Sequence, residues 1–292
     1  MSPLLGHVHW LTAVGTGLIQ GVVEWLPVSS KTMSALFLMA AGVSARNAYT
    51  LGLLANFGSF FAALYYFRRE VGMMLRALAH PLDAGEGATL LRFVVLATLA
   101  TGVVGLPLYV LMSRTFSAVG GSVAMLIIGV LLLGTAAIAR KKERLLAAEQ
   151  AQSLPGPTKE MGTPRITPAA ALIVGAFQGV AALPGISRSA LTMTPMLWLG
   201  YSGDQALRLS FLLDVPGLLG AGAVPMVVNH GGELAISAIG PGTAAIMLLV
   251  SAVVSLLTID AILKASRRLP TSVVTLAIAV LTIAVALVLM RV

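Results

Sequence analysis

The chain has 292 residues, of which 58% are hydrophobic and only 10% charged, and its net charge is +8. A soluble globular protein carries about 25% charged residues, so this composition excludes a water-soluble body, which it has too little polar surface to cover. The positive charge gathers at the ends of apolar segments, the pattern of cytoplasmic loops in a membrane protein and not of a nucleic-acid surface.

Cysteine is absent, which rules out a disulfide framework and thiolate chemistry. No basic stretch precedes the first apolar segment, so no cleavable signal peptide is expected. That segment, residues 11–26, would be about 24 Å long as a helix at ~1.5 Å per residue, short of the ~30 Å hydrocarbon core. It meets Pro27, then Val28-Ser29-Ser30-Lys31. A short apolar helix, a break and a second helix describe a re-entrant hairpin, tolerated at depth only where protein or a watery cavity surrounds it. Uncharged runs follow at 51–67, 93–112 and 119–139, each near the ~20 residues of a spanning helix. Asn56, in the first of them, reads as a packing hydrogen bond. Arg68, Arg69 and Arg76, and later Arg140-Lys141-Lys142-Glu143-Arg144, mark cytoplasmic ends. The longest polar stretch, 140–167, contains Pro155-Gly156-Pro157 and Pro164 and is expected to be a linker without a long regular element. Residues 169–183, about 22 Å as a helix, run into Pro184 and form a second short-helix-and-break. Spanning runs return at 209–228, 243–259 and 272–290, with Lys264, Arg267 and Arg268 between the last two. Asp214 is the sole acid inside any of these runs. It precedes Pro216 and is expected to satisfy a broken helix there.

Placing Arg68, Arg140 and Arg267 all inside requires each of the two short stretches to cross an even number of times. The first then enters from outside and the second from inside. The two also resemble each other. Gly17-Leu18-Ile19-Gln20-Gly21 through Pro27, Ser30 and Lys31 matches Gly175-Ala176-Phe177-Gln178-Gly179 through Pro184, Ser187 and Arg188, with one single-residue gap. The expected architecture is an all-α polytopic membrane protein, an inverted-topology repeat with about six spanning helices and two re-entrant helical hairpins. It forms a single membrane domain over 1–292, with repeat one at 1–139, a cytoplasmic linker at 140–167 and repeat two at 168–292. Paired broken segments in corresponding halves point to a binding site near the midplane.

The hairpin tips offer Gln20, Glu24, Ser29, Ser30 and Lys31 from the first half, and Gln178, Ser187, Arg188, Ser189 and Thr192 from the second. A charge at the bilayer centre costs roughly 2.5–3.5 kcal/mol, so these groups are expected to face each other across a cavity. Gln20 and Glu24 are four apart and share a helical face. Pro184-Gly185-Ile186-Ser187-Arg188-Ser189-Ala190-Leu191-Thr192 supplies a guanidinium, three hydroxyls, a glycine and a helix start that Ser187 or Ser189 can cap. Those are the parts of a phosphate cradle. An acid beside it positions a metal ion, or takes a proton from a hydroxyl or water.

At these residues the chain resembles the undecaprenyl-diphosphate phosphatase family, also called bacitracin-resistance proteins. Glu24-Trp25-Leu26-Pro27-Val28-Ser29-Ser30 matches the family's first motif. Pro184 to Thr192 matches its Pro-Gly-x-Ser-Arg-Ser-x-x-Thr motif in full, and Ser210-Phe211-Leu212 to Pro216 its Ser-Phe-Leu-x-x-x-Pro stretch. The resemblance spans the chain and implies hydrolysis of undecaprenyl (polyprenyl) diphosphate to the monophosphate and inorganic phosphate, recycling the lipid carrier for cell-wall polysaccharide synthesis. It implies a divalent cation, Mg²⁺ or Ca²⁺, a multi-pass protein of the cell membrane with an outward-facing site, and leaves a homodimer open. By matched position Glu24, Ser30 and Arg188 are catalytic, with Glu24 on the metal and Ser30 a nucleophile or substrate ligand. Gln20, Ser29, Lys31, Gly185, Ser187, Ser189 and Thr192 bind substrate. This chain departs from the family at Gln20, where an acid is usual, and at Met33, where the family has a histidine. The competing class is a transporter or flippase for a phosphorylated polyprenyl lipid, or a catalytically impaired homologue.

Overall fold

The computed structural model describes residues 10–27, 29–112, most of 123–144, 166–183, 186–229 and 239–291, and among these every extended element is helical. In chain order the helices are α1 (Trp10–Val23), α2 (Ser30–Ala40), α3 (Ala45–Tyr66), α4 (Arg68–Arg76), α5 (Glu86–Met112), α6 (Pro168–Val180), α7 (Arg188–Trp198), α8 (Gly203–Asn229), α9 (Pro241–Ser266) and α10 (Thr271–Leu289). Among the described residues five stretches are long and apolar enough to cross a membrane: Asn47–Tyr66, Glu86–Leu108, Gly203–Ala223, Pro241–Ser266 and Thr271–Val288. The chain is a multi-pass membrane protein, all-helical among the described residues. The sixth expected span, 119–139, falls partly outside the described residues, although those described between 123 and 144 are helical. Most of the 140–167 linker also lies outside them.

Helix is the form these sequences take because a segment in hydrocarbon must satisfy its backbone groups internally. For the same reason the helices outrun the apolar stretches that announce them, continuing through polar residues until a cap ends them. Pro216 corrects the sequence reading. α8 runs unbroken from Gly203 to Asn229, and Asp214 lies fully buried within it. A proline removes one N–H and crowds the carbonyl four residues back, and packed transmembrane helices absorb that local loss. Pro107 in α5 and Pro195 in α7 are carried in the same way.

Among the described residues five helices are too short to span: α1 has 14 residues, α2 11, α4 9, α6 13 and α7 11, so none exceeds about 21 Å. α2 and α7 end alike. Gly42 (φ +88°) and Gly200 (φ +90°) adopt the left-handed conformation. Each closes a Schellman turn: Gly42 and Val43 donate N–H to the Met39 and Leu38 carbonyls, and Gly200 and Tyr201 to those of Leu197 and Met196. The chain then turns into α3 or α8.

Contacts divide the chain into two compact units, each drawn from both halves. One comprises Met1–Val94 with Phe211–Ile262, the other Val95–Ser210 with Leu263–Val292.

In the first unit α1, α2 and α3 pack on one another around Ala13, Leu38, Leu51, Leu54 and Met247. α1 lies so close to α9 that a Cβ at Gly17 would sit 2.7 Å from the Met247 carbonyl oxygen, and one at Gly21 2.7 Å from Val254 Cβ. α3 meets α9 through fully buried hydroxyls. Ser255 donates to Ser59 at 2.9 Å, Ser59 and Ser251 are 3.3 Å apart, and Ser251 donates to the Ala55 carbonyl at 3.1 Å. Lipid tails are as apolar as leucine, so close approach of small residues and cross-helix hydrogen bonds hold such pairs together.

In the second unit α6 packs on α7, and α7 touches α10. α6 presses against α5, where a Cβ at Gly179 would lie 2.7 Å from Val104 Cβ and one at Gly175 would overlap the Ala97 carbonyl. Thr101 of α5 sits 3.1 Å from the Gly175 carbonyl oxygen and 3.3 Å from Gln178 Oε1. Glu143 holds the start of α10, accepting from the Ser272 backbone N–H at 3.0 Å and from its hydroxyl.

Candidate functional site

α1 stops at Val23, four residues before Pro27, and the chain restarts as α2 at Ser30. The break lies between two apolar helices and brings polar groups into the interior of the first unit. Gln20 is fully buried, Glu24 is 8% exposed, and Ser29 and Ser30 are buried. Gln20 and Glu24 share a face of the helical turn at the end of α1, and Gln20 Nε2 donates to Glu24 Oε2 at 2.6 Å. The Ser30 hydroxyl donates to the same oxygen. Gln20 Nε2 also donates to Asn56 Oδ1 of α3 at 2.7 Å, and Gln20 Oε1 accepts from Ser34 at 3.3 Å. A serine hydroxyl, a carboxylate and two amides thus form one chain of hydrogen bonds. Ser29 is the N-cap of α2 but makes no side-chain capping bond; its hydroxyl lies 3.0 Å from that of Thr32. Lys31 and Met33 occupy the first turn of α2, half-buried. Trp25 is 1% exposed and packs edge-on against Phe211, centroids 5.0 Å apart. Its indole N–H has no hydrogen-bond partner among the described residues.

The second break is built differently. Ser187 caps α7, accepting from the Ala190 N–H at 3.4 Å, so of the two serines able to do so it is Ser187 that does. Ser189 lies 3.1 Å from Ser187, hydroxyl to hydroxyl. Thr192 shares its hydrogen between the Arg188 and Ser189 carbonyls, at 3.2 and 3.1 Å, and its oxygen meets that of Ser210. Arg188 opens α7 half-buried. Pro184 and Gly185 lie outside the described residues. Gln20, Glu24, Ser29, Ser30 and Lys31 therefore belong to the first unit, and Ser187, Arg188, Ser189 and Thr192 to the second.

Sequence reading missed Asn56, Ser34 and Ser210 as partners of motif residues. Asn56 stands 36 positions from Gln20 in an apolar helix, and only its burial with a polar neighbour distinguishes it from a packing residue. The one available signal was that an amide in mid-span is costly without a partner.

No three histidine, aspartate or glutamate side chains gather into a metal cluster among the described residues. A Mg²⁺-type cation needs no such cage when one or two carboxylates and substrate phosphates complete its shell. Glu24, with hydroxyls beside it, fits that mode of binding.

Residues 13–288 match the family described as bacitracin resistance protein BacA. The chain belongs to that family. Among its relatives named undecaprenyl-diphosphatase, one from Haloarcula marismortui is 38% identical over 264 residues, 89% of this chain and 91% of the relative. One from Saccharolobus islandicus is 34% identical over 261 residues, covering 88% of each chain. One from Pyrobaculum islandicum is 34% identical over 282 residues, 95% of this chain and 96% of the relative. The BacA match takes in both breaks and the long helices on either side of them.

Proposed function

We propose that this BacA-family protein hydrolyses undecaprenyl (polyprenyl) diphosphate to the monophosphate and inorganic phosphate. The observation that carries the reading is the buried Ser30–Glu24–Gln20 chain of hydrogen bonds at the break of the first hairpin, in a protein whose relatives are named for this activity. Glu24 accepts the proton of the nucleophile, which is the Ser30 hydroxyl or a water in its place. The nucleophile bonds to the terminal phosphorus, the bond from that phosphorus to the bridging oxygen breaks, and the lipid monophosphate leaves with the bridging oxygen; where the nucleophile is Ser30, a water then bonds to the same phosphorus, the serine O–P bond breaks, and inorganic phosphate leaves as the hydroxyl is restored. Arg188 balances charge on the diphosphate with its planar fork of donors. Ser29, Lys31, Gly185, Ser187, Ser189 and Thr192 complete the binding groups, and Gln20 holds Glu24. A Mg²⁺ or Ca²⁺ at Glu24 supplies further neutralisation of the diphosphate.

The inverted repeat with two re-entrant hairpins is part of this reading, and one gapless offset in sequence supports it. The same shift pairs Gln20 with Gln178, the N-caps Ser29 and Ser187, and the left-handed glycines Gly42 and Gly200. It pairs buried Ala48 with Ala206 and Asn56 with Asp214. It also pairs Gly17 and Gly21, which press on α9, with Gly175 and Gly179, which press on α5. At this shift Ser29, and not Ser30, meets Ser187, and Ser30 meets Arg188, so the single-residue gap that paired the prolines, Ser30 with Ser187 and Lys31 with Arg188 closes within the breaks. The hairpins are short enough to enter and leave by one side, and the site opens outward from the plasma membrane, where the spent lipid carrier is released.

Purified full-length protein in detergent should release phosphate from a polyprenyl diphosphate in the presence of Mg²⁺ or Ca²⁺, and Arg188→Ala should reduce the rate by at least a hundredfold. Wild-type protein that moves the lipid across a vesicle but releases no phosphate would overturn the hydrolase reading in favour of transport.

A further inference from the structure

Asn56 lies in α3, outside every motif that marks this family in the sequence, yet it is 2% exposed and bonded to the hairpin. Gln20 has two N–H hydrogens and a carbonyl oxygen to place. One hydrogen goes to Glu24 Oε2 at 2.6 Å, the other to Asn56 Oδ1 at 2.7 Å, and the carbonyl accepts from Ser34 at 3.3 Å. Turning the Gln20 amide over would set its oxygen against the Glu24 carboxylate and the Asn56 carbonyl at once, and its nitrogen against the Ser34 hydroxyl. The carboxylate can only accept, so it sets which end of Gln20 faces it, and Asn56, taking the second hydrogen of the same nitrogen, holds the amide in place. The fixed amide in turn aims Glu24 Oε2 at the Ser30 hydroxyl.

We infer that Asn56 is a positioning residue for hydrolysis, acting through Gln20 to hold the Glu24 carboxylate against Ser30. The inference rests on the role given to Glu24 in the proposed function. It differs from a packing role in a way that substitution can read. Packing favours Asn56→Leu, which matches the volume in an apolar helix, over Asn56→Asp, which adds an ionisable group. Positioning requires an acceptor at Oδ1, so aspartate suffices and leucine does not.

The test uses full-length wild type, Asn56→Leu, Asn56→Asp, Gln20→Leu and the Asn56→Leu/Gln20→Leu double variant in detergent, with phosphate release measured against polyprenyl diphosphate concentration. Loss of an orienting partner typically lowers activity 10- to 100-fold. Asn56→Leu should lower kcat by about that factor with KM within about threefold, and Asn56→Asp should stay within about tenfold of wild type. The double variant should be no slower than Gln20→Leu alone, because two residues acting in series do not add their losses. Losses that multiply, or Asn56→Leu outperforming Asn56→Asp, would overturn the assignment. Isotope-edited infrared spectroscopy of the Glu24 carboxylate gives a readout independent of turnover. Its band should shift in Asn56→Leu and not in Asn56→Asp, and an unmoved band would equally overturn it. Wild type without phosphate release but with the expected band shift would sink the hydrolase reading and leave the positioning contact standing.

Discussion

Glu24→Gln separates the charge of this side chain from its shape. In the native protein Oε2 accepts from Gln20 Nε2 at 2.6 Å and from the Ser30 hydroxyl. A glutamine at position 24 presents one carbonyl oxygen that can take both donors, so the hydrogen bonds and the 8% exposure need not change. What disappears is a negative charge and a proton acceptor. Removing a general acid–base group costs 10²- to 10⁴-fold in rate, or about 3–5 kcal/mol of activation free energy at ~1.4 kcal/mol per tenfold. The fold should lose no more than about 1–3 kcal/mol, since both donors to Oε2 keep an acceptor and only the surroundings of the other oxygen change. Initial rates of phosphate release in detergent, beside an apparent melting temperature by size-exclusion chromatography after heating, read the two effects separately. A variant with kcat within tenfold of wild type would refute the role given to Glu24. A variant that no longer folds would refute the claim that an amide satisfies the same donors.

Trp25→Phe keeps the edge-on packing against Phe211 and deletes the buried, partnerless N–H. An orphan donor costs about 1–3 kcal/mol, so the melting temperature should not fall, and KM for the diphosphate should rise about tenfold if that N–H meets a substrate oxygen; an unchanged KM would deny it that contact. Gly175→Ala should destabilise the protein by about 1–3 kcal/mol through overpacking against the Ala97 backbone, outweighing the ~1 kcal/mol that alanine gains in helix propensity. Gly102→Ala, in a helix with nothing within 4 Å of the added methyl, should show the propensity gain alone, and equal melting shifts in the two would argue against the close α5–α6 approach.

The helices were legible because an uncharged run of near-spanning length has few alternatives in lipid. The helix ends after Val23 and Val180 were legible because each short apolar stretch runs into a proline, Pro27 or Pro184. Contacts between helices distant in sequence were not legible. Asn56 read as packing, since its partner depends on how α3 lies on α1. The meeting of the Ser59, Ser251 and Ser255 hydroxyls depends on how α3 lies on α9, which no local pattern encodes. Pro216 looked like a break because sequence shows the missing N–H but not the packing that lets α8 continue. Trp25 carried no signal, as an indole without a partner is visible only in three dimensions.

The α3–α9 hydroxyl ladder also has a consequence for how the protein is made. Ser59 and Ser251 are 192 residues apart, and the first unit needs Phe211–Ile262 to be complete. At roughly 5–20 residues per second, the ribosome takes about 10–40 s to deliver α9 after α3. Through that interval α1 and α3 sit without the helix that Gly17, Gly21 and the Ser59 hydroxyl pack against. Truncations ending before α9 should therefore be cleared by membrane proteases instead of accumulating as half-proteins.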